Sequence, residues 1–186
     1  MESAGGEPVL PDEPEEQEAA PAAPTSGPAT LKVVTKVGHD AVAAHVKVFS
    51  NGGMLAEGKS GEPLSVRSGD LEIEATLSDS KALLGHETVH KSISLEAGAD
   101  KTETVIFERS LVRVAVHIRG KLDTSAVVTL SKDGATVAKL KSGDKDYVAI
   151  TPGRYNASVK SQRAEITTTD ITLNEGATQT VPIDVN

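Results

Sequence analysis

Residues 127–159 read VVTLSKDGATVAKLKSGDKDYVAITPGRYNASV. Apolar and polar residues alternate in its first run, Asp133-Gly134 interrupts it, and Thr151-Pro152-Gly153-Arg154-Tyr155 opens a further alternating run. A period of two belongs to a half-buried strand, and an Asp-Gly pair between two such runs supplies the positive φ that a tight hairpin needs. The stretch therefore predicts antiparallel strands.

The same pattern returns about 80 residues earlier. Ala44, Val46 and Val48 match Ala126, Val128 and Leu130; Asn51-Gly52 matches Asp133-Gly134; Lys59-Ser60-Gly61 matches Lys141-Ser142-Gly143. Leu71, Ile73 and Ala75 answer Tyr155, Ala157 and Val159, and Ile93-Ser94-Leu95 answers Ile171-Thr172-Leu173. Upstream of each copy lies one more alternating run. In the first, Leu31, Val33, Thr35 and Val37 share a side; in the second, Val112, Val114, Val116 and Ile118 do, with Arg113, His117 and Arg119 opposite. Each copy then holds roughly seven short strands with turns at sandwich spacing. The expected fold is all-β: two tandem small Ig-like or transthyretin-like β-sandwiches, over 30–109 and 110–186. No Gly/Ser or Pro linker divides the copies: Phe107-Glu108-Arg109-Ser110-Leu111-Val112 passes almost straight from the last strand of one into the first of the next, so a stiff junction is expected.

Residues 1–29 differ. They hold six of the nine prolines and seven acidic side chains with no Lys or Arg. Such a segment buries too little apolar surface to offset its ordering entropy, and a disordered acidic tether is expected. The other 20 acidic side chains nearly balance 19 Lys and Arg, and aromatic residues make up 2%. Without a basic surplus or stacking platforms, nucleic acid is excluded as a partner class. With no cysteine, disulfides, thiolate metal sites and cysteine nucleophiles are excluded too. No apolar run approaches the roughly 20 residues of a membrane span, and the N-terminus lacks the regions of a signal peptide.

Two motifs invite an enzymatic reading. His86-Glu87-Thr88-Val89-His90 has the letters of a zinc protease, whose two histidines must share a helix face. On a strand their Cα atoms would lie about 13 Å apart, and Val89, Ile93 and Leu95 predict a strand that leaves both histidines facing solvent. No later histidine stands at the spacing of a third ligand. Gly53, Gly58, Lys59 and Ser60 spell a phosphate loop, which needs a helix after it; Gly61-Glu62-Pro63 and Gly69 are poor helix material. The second copy keeps Lys141-Ser142 but has Leu140 for Gly58, as turn chemistry would. Asn156-Ala157-Ser158 is a sequon inside an expected strand, Asp144 and Asp146 belong to a solvated turn, and Glu72 and Glu74 to a solvated face. Tyr155 is expected to anchor the core with its hydroxyl on a backbone partner. Of Phe49, Phe107, Tyr147 and Tyr155, most are phased inward. No catalytic residue, cofactor or metal ligand is assigned.

Asp133, Gly134, Pro152, Gly153, Tyr155, Leu173, Gly176 and Thr178 together give a pattern that resembles PEGA-like and carboxypeptidase-regulatory-like repeats. The second copy matches better, since the first has Ser68 for the proline and Leu71 for the tyrosine. The resemblance implies noncatalytic β-sandwich modules of bacterial envelope and surface proteins. The function expected is then a structural or interaction module, a spacer or adhesion-type protein that is periplasmic, an outer-membrane lipoprotein, or extracellular. Its protein partner would bind a strand edge or the loops at one sandwich end, and membrane contact would come only through a lipid-bearing cysteine outside the sequence. Alternatives are a glycan or small-molecule binding module and, more remotely, a zinc hydrolase through His86, Glu87 and His90.

Overall fold

The structure is a computed structural model that describes residues 27–86, 88–164 and 166–185. The expected tether falls mostly outside the described residues, as does Glu87. Those described form strands and turns with no helix.

The first sandwich contains β1 (Pro28–Val37), β2 (Asp40–Ala41), β3 (Ala44–Ser50), β4 (Gly53–Lys59), β5 (Pro63–Arg67), β6 (Gly69–Leu77), β7 (Val89–Leu95) and β8 (Asp100–Phe107). One of its sheets has β1 at the centre, with β8 parallel along one edge and β5 and β2 antiparallel along the other; the second sheet runs β4-β3-β6-β7. The second sandwich repeats this with β9 (Ser110–Ile118), β10 (Lys121–Leu122), β11 (Val127–Lys132), β12 (Ala135–Lys141), β13 (Val148–Ile150), β14 (Gly153–Lys160), β15 (Thr167–Leu173) and β16 (Thr178–Val185). Even the bulges coincide, at Val48/Phe49 and Leu130/Ser131.

Three details correct the sequence expectation. Each sandwich has eight strands rather than seven, because a two-residue strand, β2 or β10, folds back on the end of the first. Strand β1 starts at Pro28, not Thr30; proline is tolerated as a first strand residue because the missing N–H is not yet needed. Only Phe107 and Tyr155 among the aromatics are buried. Phe49 is half-buried on an outward position and Tyr147 is exposed, with the Arg113 guanidinium 4.8 Å above its ring.

Strand alternation builds two separate cores. Leu31, Val33, Thr35 and Val37 all point inward against Val46, Val48, Ile73 and Phe107; Val112, Val114 and Val116 do the same against Val128, Leu130, Ala157 and Tyr155. The hairpins turn as their residues demand, with Asn51 and Gly52 at φ 50° and 77° and Asp133 and Gly134 at φ 51° and 81°, the positive pair that matches strand twist.

The repeated Lys-Ser-Gly solves a backbone problem. Strand β1 pairs with β5 as far as Lys32 and with β2 from Lys36, so the groups between them lack a strand partner on that edge. Ser60 Oγ accepts the Thr35 N–H at 2.9 Å, and the Gly61 N–H donates to Val33 O at 2.7 Å. In the second sandwich Ser142 Oγ accepts the Val116 N–H at 2.9 Å and the Gly143 N–H donates to Val114 O at 3.1 Å. Buried donors left unpaired are costly, so both copies need a short hydroxyl side chain here.

Candidate functional site

The phosphate-loop letters have no phosphate loop beneath them. Gly53 to Lys59 is strand β4 itself, and Ser60 is occupied with Thr35. The zinc-motif histidines are likewise apart in role. His90 lies on β7 with Nδ1 2.9 Å from Glu72 Oε1, both side chains about half exposed. His86 is not on the strand, as its parity had suggested, but in the preceding loop, with Nδ1 3.1 Å from Leu83 O. No helix holds them on one face, and among the described residues no group of three His, Asp or Glu side chains could hold a metal. Glu74 pairs with Lys47 at 3.2 Å, Asn156 donates to Asp170 at 3.3 Å from β14, and Asp144 and Asp146 lie exposed in a turn.

What the loop carrying His86 does instead is dock. Residues 78–88 leave β6, and Leu83 turns back into the first core, where it is 1% exposed. Leu84 points the other way and packs against the second core. It forms a parallel bridge with Ile150: the Leu84 N–H donates to Ala149 O at 3.0 Å and the Thr151 N–H to Leu84 O at 3.0 Å. Thr151 Oγ1 donates to Gly85 O at 3.0 Å and lies 2.7 Å from the Tyr155 hydroxyl, which donates to Thr151 O at 2.8 Å. The expected anchoring role of Tyr155 thus holds, and it also floors the seat that the loop enters. Gly85 has φ 72°, and a Cβ there would meet Val137 Cγ1 at 2.7 Å and Thr151 Oγ1 at 2.9 Å. Only glycine fits both the conformation and the space.

The covalent junction is fastened from both sides. Arg109 reaches back over Gly38 to pair with Asp40 at 2.8 Å, while its carbonyl accepts the Gly176 N–H of the second sandwich at 2.9 Å. Ala149 also packs against the first core. The two sandwiches therefore meet at two separated points, the short connector and the β6–β7 loop.

Three carboxylates among the described residues have shifted acidities: burial, with the Glu175 carboxylate nearby, pushes Glu108 above the usual glutamate value, and the other two shift down. Asp123, 2% exposed, accepts the Ser125 N–H at 3.0 Å, the Ser125 hydroxyl at 2.6 Å and the Ser161 hydroxyl. Those hydroxyl bonds, Ser125's first, hold its carboxyl below the usual aspartate value against the opposing effect of burial. Glu103 on β8 is held below the usual glutamate value first by its hydrogen bond from Lys91, 2.5 Å away on β7, with Lys101 assisting at 3.5 Å.

No protein-family model matches the chain, and no curated protein matches it in sequence. Among solved structures it is similar to the Bacillus anthracis TIE protein, at 11% identity and TM-score 0.37, over 86% of this chain and 34% of that one. It is similar to the minor pilin of Streptococcus agalactiae, at 10% identity and TM-score 0.39, over 85% and 94% of the two chains. A streptococcal ancillary pilin gives 12% identity and TM-score 0.36 over 87% and 62%. The chain spans about a third of the length of the first of these. At this distance none lends it a function. No helix among the described residues is long and apolar enough to cross a membrane.

Proposed function

We propose that the chain is a noncatalytic structural and interaction module, a spacer or adhesion-type element of the cell envelope that presents two β-sandwiches as one rigid rod. The observation that carries this is the docking of Leu84 and Gly85 on Ile150 and Thr151. A five-residue investment that clamps one sandwich to the next contributes rigidity and nothing to chemistry, whereas a connector between independent domains needs no such clamp. The PEGA-like pattern of the second copy agrees with an envelope or surface location. Fractionation of the source cells tests it: the protein should be in the envelope fraction or the medium, and a cytosolic pool would contradict the proposal. Stoichiometric zinc that disappears in His86→Ala and His90→Ala would instead revive the hydrolase.

One observation favours a second reading as a glycan-binding module. Half-buried Phe49 faces outward beside Asn51, Asp70, Glu72 and Ser92 in a groove of about 380 Å³, an aromatic surface ringed by hydroxyl and carboxylate groups. A glycan array decides it, with saturable binding lost in Phe49→Ala as the supporting result.

A further inference from the structure

The seat that Leu84 occupies in the second sandwich exists in the first as well, and there no described residue fills it. The shared topology fixes the correspondence. Val66 pairs with Ala29 on β1 as Ile150 pairs with Ser110 on β9, and Leu55 and Val137 both stand three residues beyond the hairpin glycine. Leu55, Ser65, Val66 and Arg67 thus take the places of Val137, Ala149, Ile150 and Thr151. In the second sandwich these residues are covered by Leu84 and Gly85. In the first they line, together with Gly27 and Pro28 at the start of the described chain, a groove of about 760 Å³ whose rim is Met54, 56% exposed. Among the described residues no strand pairs with the outer edge of β5.

The geometry points to this groove, between β4 and β5, as a docking seat for an extended segment of a partner protein that carries a branched aliphatic residue followed by a small one, with an acidic side chain alongside. It deepens the interaction reading above by naming a surface and a ligand chemistry. The chain itself supplies the template. Ala149 C=O and Thr151 N–H, one residue apart from the pair that faces β9, point outward and bond Leu84. Strand alternation turns Ser65 C=O and Arg67 N–H outward in the same way, so an added segment finds one acceptor and one donor at the spacing that Leu84 uses. Edge addition of this kind takes its affinity from the backbone and its specificity from the side-chain pockets.

The differences between the two seats define the partner. Where Thr151 offers a hydroxyl to Gly85 O, the first sandwich has Arg67, exposed and in no ion pair among the described residues; a guanidinium there selects a carboxylate. Where Tyr155 fills the floor, Leu71 stands, so the floor is wholly apolar, and the small residue stays glycine because the positive φ of Gly85 requires it. A second copy of this chain cannot supply the segment without loss. The corresponding loop of the second sandwich, residues 161–166, is five residues shorter than residues 78–88 and lacks Lys81-Ala82-Leu83-Leu84-Gly85, while the loop that has them is already seated.

The test uses the full chain, labelled for amide NMR, titrated with a peptide of residues 79–88 (DSKALLGHET), which carries the Leu-Gly pair and two acids. The expected result is saturable shifts at the amides of Leu55, Val66 and Arg67, weakened at least tenfold in Arg67→Glu and absent with a peptide bearing Asp in place of its second leucine. No shifts at millimolar peptide, shifts indifferent to Arg67→Glu, or shifts confined to Ala149, Ile150 and Thr151 overturn the proposal. So does either other occupant: resonances of Leu55 and Arg67 that move with protein concentration alone identify a second copy, and ones that move on Val9→Asp with Leu10→Asp identify the chain's own N-terminal segment. A null titration leaves the fixed orientation of the two sandwiches untouched, so the spacer reading stands or falls separately.

Discussion

The two sandwiches share every strand and every bulge, yet they close the same corner with different forces. Between β7 and β8 the first uses charge: Lys91 holds Glu103 and also donates to Thr104 O at 2.8 Å. Between β15 and β16 the second has Thr169 and Val181 in those places and Pro182 beyond, with Val181 packed against the core. The interior edge differs as well. Thr35 secures the first with its hydroxyl on Val42 O at 2.6 Å; the second has Val116 there and places buried Asp123, with Ser125 and Ser161, at the position of Val42. What stays constant is the serine that fills the gap in the central strand. Backbone pairing defines the fold, and the side chains around it are exchangeable as long as each buried polar group finds a partner.

The largest break in this comparison should come from Gly85, which has no counterpart in the second sandwich. A valine there suffers at φ 72° and meets Val137 and Thr151 at under 3 Å. The strain is about 1–3 kcal/mol, and the two close contacts add to it. The loop should leave its seat while both cores persist, and a single unfolding transition in calorimetry should split into two.

A matched pair of substitutions sharpens the equivalence. Ser60→Ala and Ser142→Ala each strip the acceptor from a backbone N–H inside a sandwich, at a cost of about 1–3 kcal/mol. Urea unfolding should give similar losses for the two. A neutral result for either one would mean that the gap in that central strand is satisfied in some other way.

The smallest effect is that of pH, and for one carboxylate in each half its sign is the same for different reasons. Asp123 and Glu103 both have lowered pKa values in the folded chain. Their contribution is complete above the ordinary carboxylate range and is lost as pH falls through the depressed folded values. Asp123→Asn should flatten the acid-side loss in the second sandwich, and Glu103→Gln that in the first. Salt should mimic the second change but not the first, because the Lys91 pair is partly exposed and screened whereas Asp123 is bound by neutral hydroxyls. Amide exchange followed along the two cores against pH separates them.

Much of this was legible in the sequence. The parity of Leu31, Val33, Thr35 and Val37 gave the inward face, Asn51-Gly52 and Asp133-Gly134 gave the hairpins, and the recurrence of Lys-Ser-Gly gave the repeat, because each is a local constraint of backbone or period. The role of Ser60 and Ser142 was not legible, since it depends on two strands that leave one edge of a third unpaired. The clasp was hidden for a similar reason. Ala82-Leu83-Leu84 reads as a scrap of helix, and its apolar side chains face two different cores, which no single period can encode. One signal did exist: the first copy is five residues longer than the second between its sixth and seventh strands, and the excess is the segment that docks.

The most direct measurement is of residual dipolar couplings in the full chain, with alignment tensors fitted separately to residues 28–107 and 110–185. If Leu84 bridges Ile150 as described, the two tensors should agree in magnitude and orientation, and should part company in Gly85→Val. Tensors that already differ in the unaltered chain would show that the sandwiches move independently, and the clasp would lose its meaning.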